Sequence, residues 1–271
     1  MGNVDSHRDK YYNVSNLQAL FRVLRSEKGC PWDRAQTHES LKSNLIEEAY
    51  EVLEALEAED DALLKEELGD LLLQILFHST IAEEEGRFTL GDVMQGLGEK
   101  IVYRHPHVFE DTVAKSEGEA EASWEGRKNR EKNNETATES MKRIPKHLPA
   151  LMRADKIQRK ARRVGFDWDD HLDVVKKIHE ELGELLEAKE EGNPEKIREE
   201  GGDLLFSVVN LLRFFDVEPE EALNFTSNKF IRRFEEVERS VLNEGTSMET
   251  MGLSELDRLW DRAKNKKNEI F

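Results

Sequence analysis

Cysteine is all but absent: Cys30 stands alone in 271 residues, so no intrachain disulfide forms and stability must come from packing. Long apolar runs are missing too. The longest such stretch, LLLQILF at 71–77, is far below the roughly 20 residues that a membrane-spanning helix needs. The first residues lack the apolar core of a secretory signal, so a reducing cytoplasm is the expected location. Runs that alternate apolar and polar residues, the mark of half-buried strands, are almost absent. Positive charge is in the minority, 40 Lys and Arg against 58 Asp and Glu, for a net charge of −18. That balance argues against nucleic acid and anionic membranes as partners, because both require a cationic surface. Neither GxxxxGKS/T nor GxGxxG occurs, which removes the usual nucleotide-binding loops. No His follows a Glu by three positions, so the Glu-x-x-His signature of di-iron bundles is missing. Small cations, divalent metal ions above all, are the partners that this composition favours.

What is present is helical periodicity. Apolar residues recur at spacings of three and four over 16–27, 38–58, 62–85 and 89–104, and again over 170–191, 195–216, 219–242 and 253–268. An all-α fold is expected. With 37% hydrophobic residues, the chain can bury one large core or two of ordinary size. Between the two sets lies KNREKNNETATESMKRIPKHLP at 128–149, polar, with two prolines and few core residues, which reads as a linker. The expected organisation is two helical modules, 1–127 and 150–271, joined by that segment.

The modules repeat each other. Adding 133 to Glu47, Glu48, Glu51, Glu67 and Asp70 gives Glu180, Glu181, Glu184, Glu200 and Asp203, so each half carries EExxE and then ExxD with the same spacer. Upstream, GCPWD at 29–33 resembles GFDWD at 165–169. Downstream, Lys100 and Arg104 have counterparts in Lys229 and Arg233, and Trp124 and Lys128 in Trp260 and Lys264. With 58 acidic residues, one EExxE is weak evidence; five acids recurring in register are much harder to assign to chance.

Positions i, i+3 and i+4 share a helix face, so Glu48 lies with Glu51, and Glu67 with Asp70 one helix later. The short loop EAEDD at 57–61 turns the second helix back, as EGNPE does in the other half, where proline opens the next helix. Four carboxylates can then converge beside apolar faces. Crowded like charges repel by several kcal/mol, roughly, unless protons or a cation neutralise them. All-oxygen donors select hard cations, magnesium first and manganese second, and magnesium commonly shares its shell with phosphate oxygens. Gly69 and Gly202 sit inside the ExxD motifs, where close approach of a helix or a phosphate, or simple tight packing, would account for them.

The pairs Lys100/Arg104 and Lys229/Arg233, each one turn apart, suit the β- and γ-phosphates of a nucleotide, or else ordinary surface ion pairs. Trp260 with Lys264, and Trp124 with Lys128, suit a base or sugar and a phosphate, or a tryptophan anchoring its helix. Cys30 lacks a histidine partner and reads as packing beside Pro31 and Trp32.

GCPWD, NLIEEAYEVLEAL with EELGDLLLQ, and HEELGELLEA with EEGGDLLFSVVN resemble the MazG family of nucleoside triphosphate pyrophosphohydrolases, in its two-module form and over nearly the whole chain. The resemblance implies a magnesium-dependent helical dimer that splits an NTP into NMP and pyrophosphate. It implies Glu181, Glu184, Glu200 and Asp203 as metal ligands, with Glu180 orienting a water or a second ion, and Glu47, Glu48, Glu51, Glu67 and Asp70 in the same places of the first module. It further implies nucleotide contacts from Lys229, Arg233, Trp260 and Lys264, with Lys177 a weaker candidate because Asn44 replaces it in the first module. HPHVFED after Arg104 has no good counterpart after Arg233, and the arginine-to-tryptophan spacing differs, so one module is expected to differ in specificity or activity, with the second competent. A phosphoribosyl-ATP or dUTP specialist, and a non-enzymatic acidic interaction protein with a basic partner, stay open as alternatives.

Overall fold

The structure, a computed structural model, describes residues 12–131 and 136–265, apart from the side chains of Glu125 and Asn129. All regular elements among the described residues are helical, so the all-α expectation holds. The chain divides into two compact units, Met1–Asn133 and Asn134–Phe271.

The first unit comprises α1 (Val14–Arg25), α2 (Pro31–Ala35), α3 (Lys42–Glu57), α4 (Asp61–Glu84), α5 (Leu90–Arg104), α6 (Pro106–Phe109) and α7 (Glu117–Arg130). Its centre is the α3/α4 hairpin, with α1 and α5 packed on α4 and α7 on α5. Phe21, Leu41, Leu76, Phe77, Ile81 and Leu90 form the buried core. Buried Arg25 ties α1 to α4 through Glu84 (2.9 and 2.8 Å) and reaches the backbone carbonyl of Gln36 (3.1 Å).

The second unit comprises α8 (Ala137–Lys142), α9 (Ala150–Arg162), α10 (His171–Glu190), α11 (Pro194–Phe214), α12 (Pro219–Asn243), a 3-10 turn at Met248–Thr250 and α13 (Leu253–Asn265). The α10/α11 hairpin is central, α9 packs on α11 and α12, and α13 on α12 around Val237, Val241, Leu259 and Ala263.

The two hairpins use the same turn. After α3 the chain enters the left-handed region at Glu59 (φ 53°), the Asp60 amide donates back to the Ala55 carbonyl (3.2 Å), and the Asp60 carboxylate then caps α4. After α10, Gly192 (φ 66°), Asn193 and Ala188 repeat this 133 residues on, with Pro194 opening α11. Glycine suits that conformation; Glu59 adopts it at a steric cost.

Eight helices follow the periodic segments closely. Helices α2, α6, α7, α8 and α9 lie outside those segments. The apolar residues of α9, among them Leu151, Met152 and Ile157, are diluted by six basic residues from Arg153 to Arg163, and α7 has only Ala120, Ala122 and Trp124 among its polar residues. The segment 128–149 begins with the end of α7 and contains α8, which Thr136 and Glu139 close with a capping box and which packs on α9; Ile144 just beyond it is buried. The last predicted helix extends to 265, and its expected tail at 266–268 lies outside the described residues. No helix among the described residues is long and apolar enough to cross a membrane.

Candidate functional site

In the first unit the α3/α4 hairpin brings carboxylate oxygens of Glu48, Glu67 and Asp70 within 4.8 Å of one another. Glu51 lies beside them: loss of hydration and then the charges of Glu67, Glu48 and Glu47 push its carboxyl above the usual range. Glu67 is raised in the same way, by loss of hydration first and then by Asp70. Glu47 itself is exposed. Buried Gln74, one turn beyond Asp70, donates its amide to Glu48 (3.2 Å). The sequence reading passed over Gln74; its place four residues after Asp70 was the available signal.

In the second unit oxygens of Glu181, Glu184 and Glu200 come within 4.8 Å. Glu181 is only 5% exposed. Desolvation, followed by repulsion from Glu184, Glu181, Glu199 and Asp203, raises Glu200, so Asp203 stands within electrostatic reach of the cluster. Lys177 donates to both Glu181 (2.7 Å) and Glu180 (2.8 Å), and these carboxylates hold its ammonium well above the ordinary lysine range. Lys177 therefore cancels part of the charge that Asn44 leaves standing in the first unit.

A Cβ added at Gly69 or Gly202 would meet nothing within 4 Å. Tight packing within the chain does not explain these glycines, and their faces are open to an approaching group.

The cationic and aromatic candidates other than Lys177 make contacts of their own. Lys229 lies over the Phe225 ring (5.4 Å) and Arg233 is half-buried, its Nε without a partner. Neither makes an ion pair with the carboxylates among the described residues. Trp260 packs on Phe230 (4.9 Å between ring centres) against the α12/α13 core, and Lys264 pairs with Asp261 (2.7 Å). In the first unit Lys100 is exposed, Arg104 bonds Glu131 (2.6 Å) and lies over Trp124 (5.3 Å), and Lys128 lies over the same ring (4.3 Å).

A helical hairpin whose facing sides converge three or four carboxylates, present twice in one chain, defines an all-α protein class with paired acidic hairpins. The sequence profile of the MazG nucleotide pyrophosphohydrolase domain matches residues 36–109 and 169–238, one hairpin each, and the chain belongs to that family. It is 47% identical over 248 residues to the nucleoside triphosphate pyrophosphohydrolase/pyrophosphatase MazG of Thermotoga maritima, covering 92% of this chain and 94% of the relative. It is 41% identical over 260 residues to the nucleoside triphosphate pyrophosphohydrolase of Escherichia coli strain K12, covering 95% and 99%. Among solved structures, a mazG-related protein from Thermotoga maritima aligns at 35% identity and a TM-score of 0.37, over 43% of this chain and 99% of that one.

Proposed function

We propose that the chain is a divalent-metal-dependent nucleoside triphosphate pyrophosphohydrolase, which converts NTP and water into NMP and pyrophosphate. The observation that carries this reading is the recurrence of the carboxylate cluster in both hairpins of a chain that shares 41–47% identity with relatives named for that activity. The donor set fits a hard cation: all oxygens, within 4.8 Å of each other, while loss of hydration first and neighbouring carboxylates second make Glu51, Glu67 and Glu200 hold their protons more tightly than ordinary glutamates. Glu181, Glu184, Glu200 and Asp203 would hold magnesium, or manganese in its place, and Glu48, Glu51, Glu67 and Asp70 with Glu47 would do so in the first unit. Bound there, the ion supplies Lewis acidity toward the α-phosphate and a more acidic water.

The chain's own residues do the rest. Glu180 is exposed beside the cluster and bonded to Lys177, so it is placed to orient a water and accept its proton. Lys229 and Arg233 would offset charge on the departing pyrophosphate, Lys264 would exchange Asp261 for a phosphate, and Trp260, half-buried on Phe230, would offer the nucleotide only its exposed part. Their first-unit counterparts are Lys100, Arg104, Lys128 and Trp124. Large apolar side chains stand exposed on the hairpins, among them Ile46, Tyr50, Leu53, Leu182 and Leu186, which supports a homodimer. Chromatography of the products tests the reaction: NMP with pyrophosphate supports it, and NDP with phosphate overturns it.

A further inference from the structure

Away from the acid cluster, the open end of the first hairpin is closed by two histidines. His38, in the segment between α2 and α3, and His78, on α4, place their Nδ1 atoms 2.7 Å apart. Their ring planes differ by 5° and their ring centres are 5.0 Å apart. Each nitrogen sits one ring radius from its own centre, so that separation across that contact leaves no room for a bend: both centres and both nitrogens fall on one line. An imidazole N–H points along this line, and the contact is a hydrogen bond in the common plane of the two rings, not a face-to-face stack.

A third residue fixes where the protons are. The guanidinium of Arg87, in the loop after α4, contacts Nε2 of His38. A guanidinium can only donate, so that Nε2 accepts. Neutral His38 therefore carries its proton on Nδ1 and donates it to Nδ1 of His78, which leaves the His78 proton on Nε2. This last nitrogen is buried without a partner. One more proton has no place to go. On His38 it would land on Nε2, against Arg87; on His78 it would land on Nδ1, against the His38 N–H. The chain from Arg87 through His38 to His78 is complete only while both rings are neutral.

Charged groups on the surrounding elements are engaged elsewhere. Helices α1, α3 and α5 pack on α4. From α1, Arg22 and Arg25 are held by Glu83 and Glu84; on α3, Glu48 accepts from Gln74; at the start of α5, Asp92 is taken up by Thr89. Beside His38, Glu39 pairs with Lys42, and Glu85 with Arg87 itself. Among the described residues no carboxylate bonds either ring. Loss of hydration, and then His38, accordingly hold the His78 imidazole below the usual histidine range. The second unit is built otherwise: by the register of the acid motifs His38 corresponds to His171 and His78 to Leu211. His171 meets the Asp170 carboxylate (2.8 Å), a partner that a proton suits.

We propose that Arg87, His38 and His78 form an acid-released clasp on the open end of the first hairpin, which holds the segment before α3 against α4 while neutral and lets go when protonated. His38 lies ten residues before Glu48 and His78 eight after Asp70, so the clasp and the tight turn at Glu59 grip the two ends of the hairpin that carries the acids. Because the folded His78 binds a proton less well than an unfolded one, its stabilising contribution is full above 6.5 and is lost as pH falls below that value. The sign is opposite to that of the raised carboxylates, and the clasp stands whether or not the chain acts on nucleotides.

The test has two readouts, both on the full-length chain. Long-range proton–nitrogen NMR of the imidazoles at pH about 7.5, above the ordinary histidine range, with signals identified through His38→Gln and His78→Asn, should find the His38 proton on Nδ1 and the His78 proton on Nε2. A His38 proton on Nε2, or either ring charged at that pH, would overturn the proposal. Amide exchange in the first turn of α3, corrected for intrinsic rates, should show the local opening constant rising roughly tenfold from pH about 7.5 to about 5.5, as one proton taken up on opening requires. In His78→Asn, which keeps a polar acceptor but binds no proton, the rise should shrink to about twofold or less; the cluster carboxylates titrate in both chains and cancel in the comparison. Should His78→Asn fail to fold by circular dichroism, His78→Leu, which imports the residue of the second unit, gives the same readout. A folded variant that keeps the wild-type rise, or a wild type without one, would overturn the clasp.

Discussion

The two units keep the same acidic hairpin and differ in what stands next to it. Beside the first cluster are Gln74, neutral and bonded to Glu48, and an aromatic core of Phe21, Trp32 and Phe77. Beside the second are Lys177, a cation bonded to Glu180 and Glu181, and a cavity with a buried Arg213–Asp167 pair on its wall. Glu51 and Glu67 in the first unit and Glu200 in the second are held above the usual range, by loss of hydration first and by neighbouring carboxylates second. The difference teaches that the carboxylate spacing and the space beside it are separable. One unit fills that space with aromatic packing, and the other leaves it open.

The largest effect that sharpens this contrast is on packing. Phe77→Ala should destabilise the first unit by about 3–5 kcal/mol, because it empties a filled core, whereas Asn210→Ala, which removes an acceptor of the buried Arg213, should cost about 1.5–3 kcal/mol in the second; denaturant unfolding followed by tryptophan fluorescence measures both. Next, Asp167→Asn leaves the Arg213 guanidinium buried without its counter-charge and should cost about 3 kcal/mol, while Thr80→Ala, at the first-unit position that corresponds to Arg213, should cost about 1 kcal/mol. Equal costs would break the comparison. Smaller again, Gly202→Ala should raise helix stability by roughly 1 kcal/mol, since an added methyl meets nothing in the chain. It should at the same time lower NTP turnover if a phosphate approaches that face. The smallest effect is on pH dependence. A carboxyl raised above 4.5 on folding binds its proton more tightly in the native state, so its stabilising contribution is full below 4.5 and is lost as pH rises through the raised value. Melting temperatures in chelator should therefore decline as pH climbs above 4.5 on account of Glu51, Glu67 and Glu200, and added magnesium should flatten the decline.

Much of this was legible in the sequence, for physical reasons that differ between features. The acids could be found because two independent copies in register separate a chosen pattern from an acidic background, and helical spacing alone put Glu48, Glu67 and Asp70 on facing sides. The turn at EGNPE was legible because Gly enters the left-handed region freely, Asn caps the helix that follows and Pro fixes its first residue. Helix α9 escaped because its basic residues mask a narrow apolar stripe. Gln158, Asn210 and Arg213 escaped because nothing in their local spacing announces a buried polar residue; their meaning comes from contacts with Phe206 and Asp167, 48 and 46 residues away. Trp260 lies against Phe230, an anchoring contact that its spacing to Lys264 did not distinguish from a ligand contact.

The division of labour between the units is the central claim, and inactivating one cluster at a time tests it most directly. NMP and pyrophosphate formation should be followed for the full-length Glu48→Gln/Glu67→Gln and Glu181→Gln/Glu200→Gln chains under saturating magnesium. The account predicts that the first keeps most of the wild-type turnover and that the second loses roughly a hundredfold or more. Equal losses in the two, or turnover that survives loss of Glu181 and Glu200, would contradict it.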